Sequence, residues 1–273
     1  MRYIDVSEHQ GVVDWEKVKG NVDGVMIRAG YGQRTKDEQF ARNVEYCNVL
    51  GIPCGAYWFS YAYTPEMARN EARALLNAVK PYRMELPLAF DYEYDSVIYG
   101  KKCGASITDA LVKSLTNAFC SVIEGEDYYC MIYANPDFIN KYFGNLANRY
   151  DLWLAQWTKT VDVTKPPRKC GIWQWGGSTV PGITGNVDTN EAYKDYPALL
   201  REIGCNHLAS PSPAAAPSPA GGGTGDVPWY AEAMEWAKEN GIMDGTRPTD
   251  AATRAEVAQM FFNLMHKEAD NGR

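Results

Sequence analysis

Acidic side chains stand at three places in the sequence where chemistry could occur. Asp5 closes the first apolar run, Asp91 and Glu93 close the run that begins at Leu86, and Asp188 lies in a later segment. Asp91 and Glu93 are two residues apart on an extended segment, so their side chains face the same side. Two carboxyl groups held close push their pKa values apart, so that one stays protonated and the other ionised. Cleavage of a glycosidic bond requires such a pair.

Two other interpretations of these carboxylates stay open. The segment Asp91–Asp95 is also typical of a solvated acidic loop. Asp5, Asp91, Glu93 and Asp188 could instead bind Mg²⁺ or Ca²⁺, although the sequence lacks the dense Asp and Asn spacing of a calcium loop. The Cys and His positions do not predict a zinc site. We therefore expect neither a metal nor another cofactor.

Aromatic residues are concentrated near the ends of the predicted strands. Sugar rings pack their apolar C–H faces on aromatic planes, and their hydroxyl groups bond with Tyr, Trp and Gln side chains. Each aromatic residue alone is more typical of a core, but their number favours a sugar-binding cleft. The predicted substrate-binding residues are Tyr57, Tyr61, Tyr133, Trp153, Gln156 and Gln174.

Strand-like apolar runs alternate with helical patterns through the first 200 residues. The nearly continuous apolar character of the runs predicts strands buried on both faces, as in a β/α barrel or a doubly wound sheet. In a barrel, the strand ends that carry the carboxylates share the carboxyl-terminal face. The pattern predicts strands over 3–7, 24–31, 52–63, 86–92, 128–133, 152–157 and 171–175, and helices over 15–18, 37–50, 65–79 and 108–123.

Composition and charge exclude several classes of protein. Of the 273 residues, 45% are hydrophobic and 22% charged, which is typical of a folded chain. The net charge of −7 provides no cationic surface for nucleic acid, and no apolar run is long enough for a membrane span. Seven cysteines without a CxxC pair favour buried free thiols over disulfides. The segment Met1–Ser7 has no signal-peptide pattern, so we expect synthesis in the cytoplasm.

A linker divides the chain. Residues 206–225 are rich in Pro, Ala, Ser and Gly and contain no acidic residue, Lys or Arg, so they cannot bury enough surface to fold. We expect a catalytic domain over 1–205, the linker over 206–225, and a C-terminal unit over 226–273. In that unit, Pro228 and the sequence Thr253–Glu256 predict helix starts, which indicates a small all-α helical hairpin.

Three segments of the first domain resemble glycoside hydrolase family 25, the lysozymes (N-acetylmuramidases) of bacteria and phages. They are Asp5–Gly11 followed by Asp14-Trp15, the segment Phe90–Glu93, and Trp173–Trp175 followed by Val187–Asn190. The resemblance covers roughly residues 1–200 and implies an α/β fold, an irregular β/α barrel. It implies that Glu93 is the general acid/base and that Asp91 stabilises the transition state as nucleophile or by orienting the N-acetyl group. Asp5 and Asp188 would line the same pocket.

The C-terminal unit resembles one S-layer homology repeat. The matching marks are Trp229-Tyr230, Gly241-Ile242 and Thr253–Glu256. Such repeats usually come in threes and bind anionic secondary cell-wall polymers, whereas this chain has one. We therefore expect residues 226–273 either to bind such a polymer, to form a homodimer, or to dock on the barrel.

The resemblance to glycoside hydrolase family 25 implies a peptidoglycan hydrolase that cleaves the β-1,4 bond between N-acetylmuramic acid and N-acetylglucosamine. We expect a phage or prophage endolysin that acts on the wall of a Gram-positive host after release from the cytoplasm. The alternatives are a non-catalytic wall-binding protein, an autolysin and a chitinase-like glycosidase. The run before Asp91 lacks the additional Asp residues of the chitinase motif. The expected partners are peptidoglycan glycan strands, not nucleic acid or a membrane.

Overall fold

The computed structural model describes residues 1–159 and 161–208. The helical hairpin predicted over 226–273, and most of the predicted linker, lie outside the described residues. The strands are β1 (Arg2–Val6), β2 (Gly24–Tyr31), β3 (Thr35–Lys36), β4 (Cys54–Phe59), β5 (Leu88–Asp91), β6 (Cys130–Ala134), β7 (Asp151–Ala155), β8 (Ile172–Ser178) and β9 (Val187–Ala192).

Eight of these strands close into a barrel. Strands β1, β2, β4, β5, β6, β7 and β8 run parallel to their neighbours in that order. Strand β9 then closes the barrel by pairing antiparallel with both β8 and β1. The short β3 forms a hairpin on the end of β2. The predicted irregular β/α barrel is therefore confirmed, and the doubly wound alternative is wrong because β1 pairs with both β2 and β9.

Helices cover the outside of the barrel. Thr64 and Thr108 cap two of them through their hydroxyl groups, and Gly51, with φ of 69°, ends another in the left-handed conformation that favours glycine. The helices are α1 (Trp15–Val18), α2 (Phe40–Leu50), α3 (Pro65–Val79), α4 (Tyr94–Lys102), α5 (Asp109–Gly125), α6 (Pro136–Phe138), α7 (Leu146–Arg149) and α8 (Tyr196–Glu202), with a 3₁₀ turn at Glu8–Gln10 and a π turn at Ile139–Phe143.

The barrel interior is built in layers because alternate residues of a strand face the same side. A buried apolar layer is formed by Tyr3, Met26, Ala89, Met131, Trp153 and Ile172. Two residues further along β1, β5 and β8 come Asp5, Asp91 and Gln174. The alternation thus places polar side chains one layer above an apolar plug, at the carboxyl-terminal ends of the parallel strands.

The barrel extends beyond the boundary predicted at residue 205. Asn206 is buried, and its amide nitrogen donates to the carbonyl oxygens of Met84 and Leu86 at 3.1 and 2.8 Å. Its side-chain oxygen accepts the Tyr129 N–H at 2.8 Å. Leu208 is buried as well. The residues up to Leu208 therefore pack on the barrel, so the folded domain includes the first three residues that the sequence assigned to the linker.

Of the elements in the described residues, the sequence patterns located seven of the nine strands and four of the eight helices, and they missed β3, β9, α4, α6, α7 and α8. Helix α4 follows Glu93 directly, in a segment interpreted as strand end and acidic loop. Strand β9 has the sequence VDTNEA. Because most of its residues are polar, it lacks the apolar pattern that predicts a buried strand. Among the described residues, no helix is long and apolar enough to span a membrane.

Candidate active site

Asp91 and Glu93 lie side by side at the mouth of the barrel. Strand β5 ends at Asp91, and the backbone of Glu93 is still extended, with φ of −125° and ψ of −171°. The Glu93 N–H donates to Ser96 Oγ at 3.1 Å, which fixes the turn into α4. The two carboxyl groups are hydrogen-bonded to each other. The predicted same-side placement of this pair is what the structure shows.

The surroundings of the Asp91–Glu93 pair favour a shared proton. Burial raises the pKa of Asp91 well above its ordinary value, and Glu93 and Asp5 raise it further. Burial also raises the pKa of Glu93, although its hydrogen bond with Asp91 lowers it. Among the described residues, no amide or hydroxyl group donates to the buried Oδ1 of Asp91. A proton shared with Glu93 therefore stabilises both groups.

Asp5 and Asp188 form a second carboxylate pair, on neighbouring strands. They are direct partners in the antiparallel register of β1 and β9, so their side chains lie on the same face. Asp5 is buried, and its Oδ2 accepts hydrogen bonds from Gln174 Nε2 at 3.0 Å and Asn190 Nδ2 at 2.9 Å. Burial, and then Asp188, raise the pKa of Asp5 to about 7, while the two amides lower it. Burial raises the pKa of Asp188.

Two of the predicted sugar ligands, Tyr57 and Tyr133, are half-buried beside these carboxylates. Burial raises the pKa of both phenols well above the ordinary value, followed by Asp5 and Asp91 for Tyr57 and by Glu93 and Asp91 for Tyr133. Both rings pack edge-on against Trp153 with centroids 5.6 and 4.8 Å away. The two tyrosines therefore form a wall of the acidic pocket.

Trp153 itself does not reach the cleft. The side chain is only 1% exposed, and its Nε1 donates to Asn190 Oδ1 at 2.7 Å. Its inward position in the apolar layer explains the difference, because that layer lies below the carboxylates. The prediction that Trp153 binds substrate is wrong, and the residue supports Tyr57 and Tyr133 from below.

Tyr61 and Gln156 follow β4 and β7, which are separated by β5 and β6 in the barrel. Tyr61 is half-buried and contacts Phe59 and the exposed Tyr99, with ring centroids 5.1 and 5.0 Å away. Gln156 is half-buried, and its main-chain N–H donates to the Gln174 carbonyl oxygen at 3.0 Å. Trp157 follows it and is 61% exposed. The structure thus places aromatic residues after the ends of both strands, β4 and β7.

The structure adds two polar residues that the sequence did not single out. Asn190 lies two residues after Asp188 on β9, a spacing that already puts both on one face. Arg28 on β2 bonds with Asp37 and Glu8, each at 2.8 Å, and its charge lowers the pKa of Asp91. Only its charge within the otherwise apolar predicted strand 24–31 could have indicated Arg28, since its partners Glu8 and Asp37 lie on other segments.

A metal site was the alternative interpretation of the four carboxylates. Residues 1–159 and 161–208 contain no group of three or more His, Cys, Asp or Glu side chains arranged to hold a metal ion. The hydrogen bond between Asp91 and Glu93 requires a proton where a divalent cation would require two ionised groups. The donor set therefore suits proton transfer better than metal binding.

Comparison with known proteins agrees with this geometry. The modular autolysin LytC from Streptococcus pneumoniae, solved with a synthetic peptidoglycan ligand, is 28% identical and covers 69% of this chain with a TM-score of 0.58. This chain spans 46% of LytC. The lysozyme from Streptomyces coelicolor is 24% identical, with 77% of this chain and 97% of that chain covered and a TM-score of 0.58.

The catalytic domain of endolysin ply40 from bacteriophage P40 of Listeria monocytogenes has the same fold. It is 22% identical, with 73% of this chain and 96% of that chain covered and a TM-score of 0.61. No curated protein sequence matched the chain.

The closed β/α barrel and the carboxyl pair at its mouth have the arrangement that a glycoside hydrolase requires. The model of the glycosyl hydrolases family 25 matches residues 4–183, and the chain belongs to this family.

Proposed function

We propose that this enzyme hydrolyses the β-1,4 bond between N-acetylmuramic acid and N-acetylglucosamine in peptidoglycan. The observation that carries the proposal is the hydrogen-bonded Asp91–Glu93 pair facing the Asp5–Asp188 pair. The family membership supports it, as does the peptidoglycan ligand bound by LytC. Tyr57 and Tyr133 provide phenol groups for sugar hydroxyls at the same place.

Glu93 acts as the general acid and then as the general base. Its O–H protonates the glycosidic oxygen while the bond from that oxygen to C1 breaks, and the alcohol leaves. The resulting Glu93 carboxylate then removes a proton from the water that attacks C1. Glu93 is the more exposed member of the pair, so it is the one that can reach the leaving oxygen.

Asp91 stabilises the positive charge that develops at C1. Its buried Oδ1 accepts no hydrogen bond from the described residues, and the acetamido N–H of the substrate supplies one. This new hydrogen bond stabilises Asp91 as an anion and shifts the shared proton to Glu93. The acetamido oxygen, oriented in this way, attacks C1 and forms a cyclic oxazolinium ion that water opens. Direct attack by Asp91 on C1 would instead form a covalent ester. A substrate with sulfur in place of the acetamido oxygen distinguishes attack by Asp91 from attack by the acetamido group.

The spacing of the pair favours retention of configuration. Inverting glycosidases separate their carboxyl groups by roughly 6.5–9.5 Å to hold a water between them. Asp91 and Glu93 contact each other through a hydrogen bond and leave no such space. Proton NMR of the first-formed sugar anomer tests this expectation, and an α-anomer as first product would contradict it.

Glu93→Gln tests the proposed acid. The amide has the same shape but cannot protonate the leaving oxygen, so we expect the rate of turbidity loss on purified walls to fall about 10²–10⁴-fold. A matched control is Glu124→Gln, whose side chain pairs with Arg149 outside the site. A Glu93→Gln enzyme with more than about a tenth of the rate would contradict the assignment. An inactive wild-type chain that still pellets with walls would favour the non-catalytic wall-binding alternative.

The biological setting forms a further part of the proposal. The enzyme is an endolysin of a phage or prophage, released from the cytoplasm of a Gram-positive host, and residues 226–273 bind a secondary wall polymer or form a homodimer. The S-layer homology marks in the sequence support the polymer. Wall pelleting and light scattering of the full chain, beside a chain ending at Leu208, test both. If the two chains pellet equally with walls and have the same oligomeric state by light scattering, residues 226–273 have neither role.

A further inference from the structure

The amide of Gln174 is held by four side chains at once. Its Oε1 accepts hydrogen bonds from the Tyr133 hydroxyl at 3.0 Å and from Trp157 Nε1 at 3.1 Å. Its Nε2 donates to Asp5 Oδ2 at 3.0 Å and to Asp188 Oδ2 at 3.4 Å. A primary amide has two N–H groups and one oxygen that accepts two bonds, so Gln174 has no capacity left for a sugar.

The orientation of this amide is fixed by its indole partner. An indole nitrogen only donates, so the amide atom that faces Trp157 must be the oxygen, and the N–H groups must face the two carboxylates. Asn190 repeats the arrangement, since its Oδ1 accepts from Trp153 and its Nδ2 donates to Asp5. The two indoles differ in exposure, because Trp153 is buried and Trp157 is 61% exposed at the cleft.

We propose that Gln174 is a positioning residue that fixes Asp5 and Asp188 relative to each other, and that the indole N–H of Trp157 holds Gln174 in the required orientation. The effect on catalysis rests on the proposed function. Gln174 therefore does not make the sugar contact expected from the sequence. Through Gln174, the exposed Trp157 helps to position the buried Asp5 carboxylate.

The charged and polar groups around Asp5 determine how the loss of Gln174 changes the pKa of Asp5. Each N–H donor stabilises the ionised form of Asp5, so removing one raises the pKa of this group above about 7. Asn190 remains as the second donor. The ionisable groups that face Asp5 are Asp188 on β9, Asp91 and Glu93 at the end of β5, Tyr57 on β4 and Tyr133 on β6, with Arg28 on β2 beside Tyr57 and Asp91.

Steady-state kinetics of the full chain on soluble peptidoglycan fragments separate positioning from sugar binding. Gln174→Met keeps the length of the side chain and removes its polar groups, and we expect kcat to fall roughly 10- to 100-fold with little change in KM. Trp157→Phe keeps an aromatic side chain but removes the indole N–H. We expect a smaller fall in kcat than in Gln174→Met. A rise in KM with kcat unchanged in either variant would overturn the proposal.

A carboxyl titration gives a readout that does not depend on hydrolysis. In ¹³C NMR of the full chain labelled at Asp carboxyl carbons, with Asp5→Asn for assignment, Gln174→Met should raise the midpoint of Asp5 by about one pH unit. An unchanged midpoint overturns the proposal. If the midpoint shifts while the wild-type chain does not cleave peptidoglycan, the positioning role holds and the proposed function fails.

Trp15→Phe is the matched control. It removes an indole N–H that donates to Asn43 Oδ1 at 3.0 Å, in the core away from the mouth. We expect a lower Tm with kcat and the Asp5 titration unchanged. An equal loss of kcat in Trp15→Phe and Trp157→Phe would show a general effect of indole removal and overturn the assigned role.

Discussion

Replacing Glu71 by Gln should make the free energy of unfolding less dependent on pH. Glu71 lies on α3 and is fully buried, and its carboxyl accepts the Tyr61 N–H at 3.1 Å and the Gln33 amide at 2.9 Å and bonds with Ser60. Burial raises its pKa from the ordinary 4.5 to about 7, more than these hydrogen bonds lower it. The protonated form is therefore the one that fits the folded state.

The magnitude follows from linkage. At about 1.4 kcal/mol per pH unit, a pKa raised from 4.5 to about 7 corresponds to roughly 3 kcal/mol. Because the folded-state pKa is raised, this stability is fully present below pH 4.5 and is lost as the pH rises to 7. Glu71→Gln stays neutral, and its amide can donate to Ser60 while its oxygen accepts from Tyr61 and Gln33.

Guanidinium unfolding of the full chain at pH 4 and pH 8 measures the effect. We expect the free energy of unfolding to fall by roughly 3 kcal/mol less in Glu71→Gln than in the wild type between these pH values. Glu66→Gln, on the same helix but exposed and paired with Arg69 and Arg73, serves as control. An equal fall in the wild type and in Glu71→Gln would refute the argument that the buried carboxyl is protonated.

Four further results are expected. Asp91→Asn should lower kcat at least about 100-fold without lowering Tm, and a fully active variant would remove the pocket assignment. The value of kcat/KM should fall as the pH rises through the raised pKa of Glu93, because the acid must keep its proton, and a value that does not fall at alkaline pH would contradict this. EDTA should leave the rate on walls unchanged, and a loss restored by Mg²⁺ or Ca²⁺ would favour the metal alternative. A chain ending at Cys205 should unfold at lower temperature than one ending at Leu208, because it loses the buried Asn206 and about 2 kcal/mol or more, and equal Tm values would contradict that contribution.

The barrel could be predicted because its signals are local. Apolar strands, Thr caps and glycine stops can each be recognised from a short segment of sequence. The predicted bounds of Gly24–Tyr31 and Pro65–Val79 agree with the structure at both ends. Strand β9 was missed because its inward face carries Asp188 and Asn190, whose polarity serves the site. Helix α4 was missed because its first turn follows directly on the acidic segment at Glu93.

The carboxylates were predictable as a set, but their surroundings were not. The two-residue spacing of Asp91 and Glu93 predicts a shared face by itself. The depth of Trp153 in the barrel and the saturation of Gln174 depend on which layer each strand position occupies, and that is set by the register between strands far apart in sequence. An apolar plug below a polar layer is a property of the closed barrel rather than of any one segment.

Analysis of the reducing ends released from purified peptidoglycan identifies the bond that the enzyme cleaves. The products of the full chain are reduced with borohydride, hydrolysed to amino sugars and separated. We expect muramic acid to be converted to muramitol in step with the loss of turbidity, and Glu93→Gln to abolish both. Reduced glucosamine, or free amino groups without new reducing ends, would contradict this expectation.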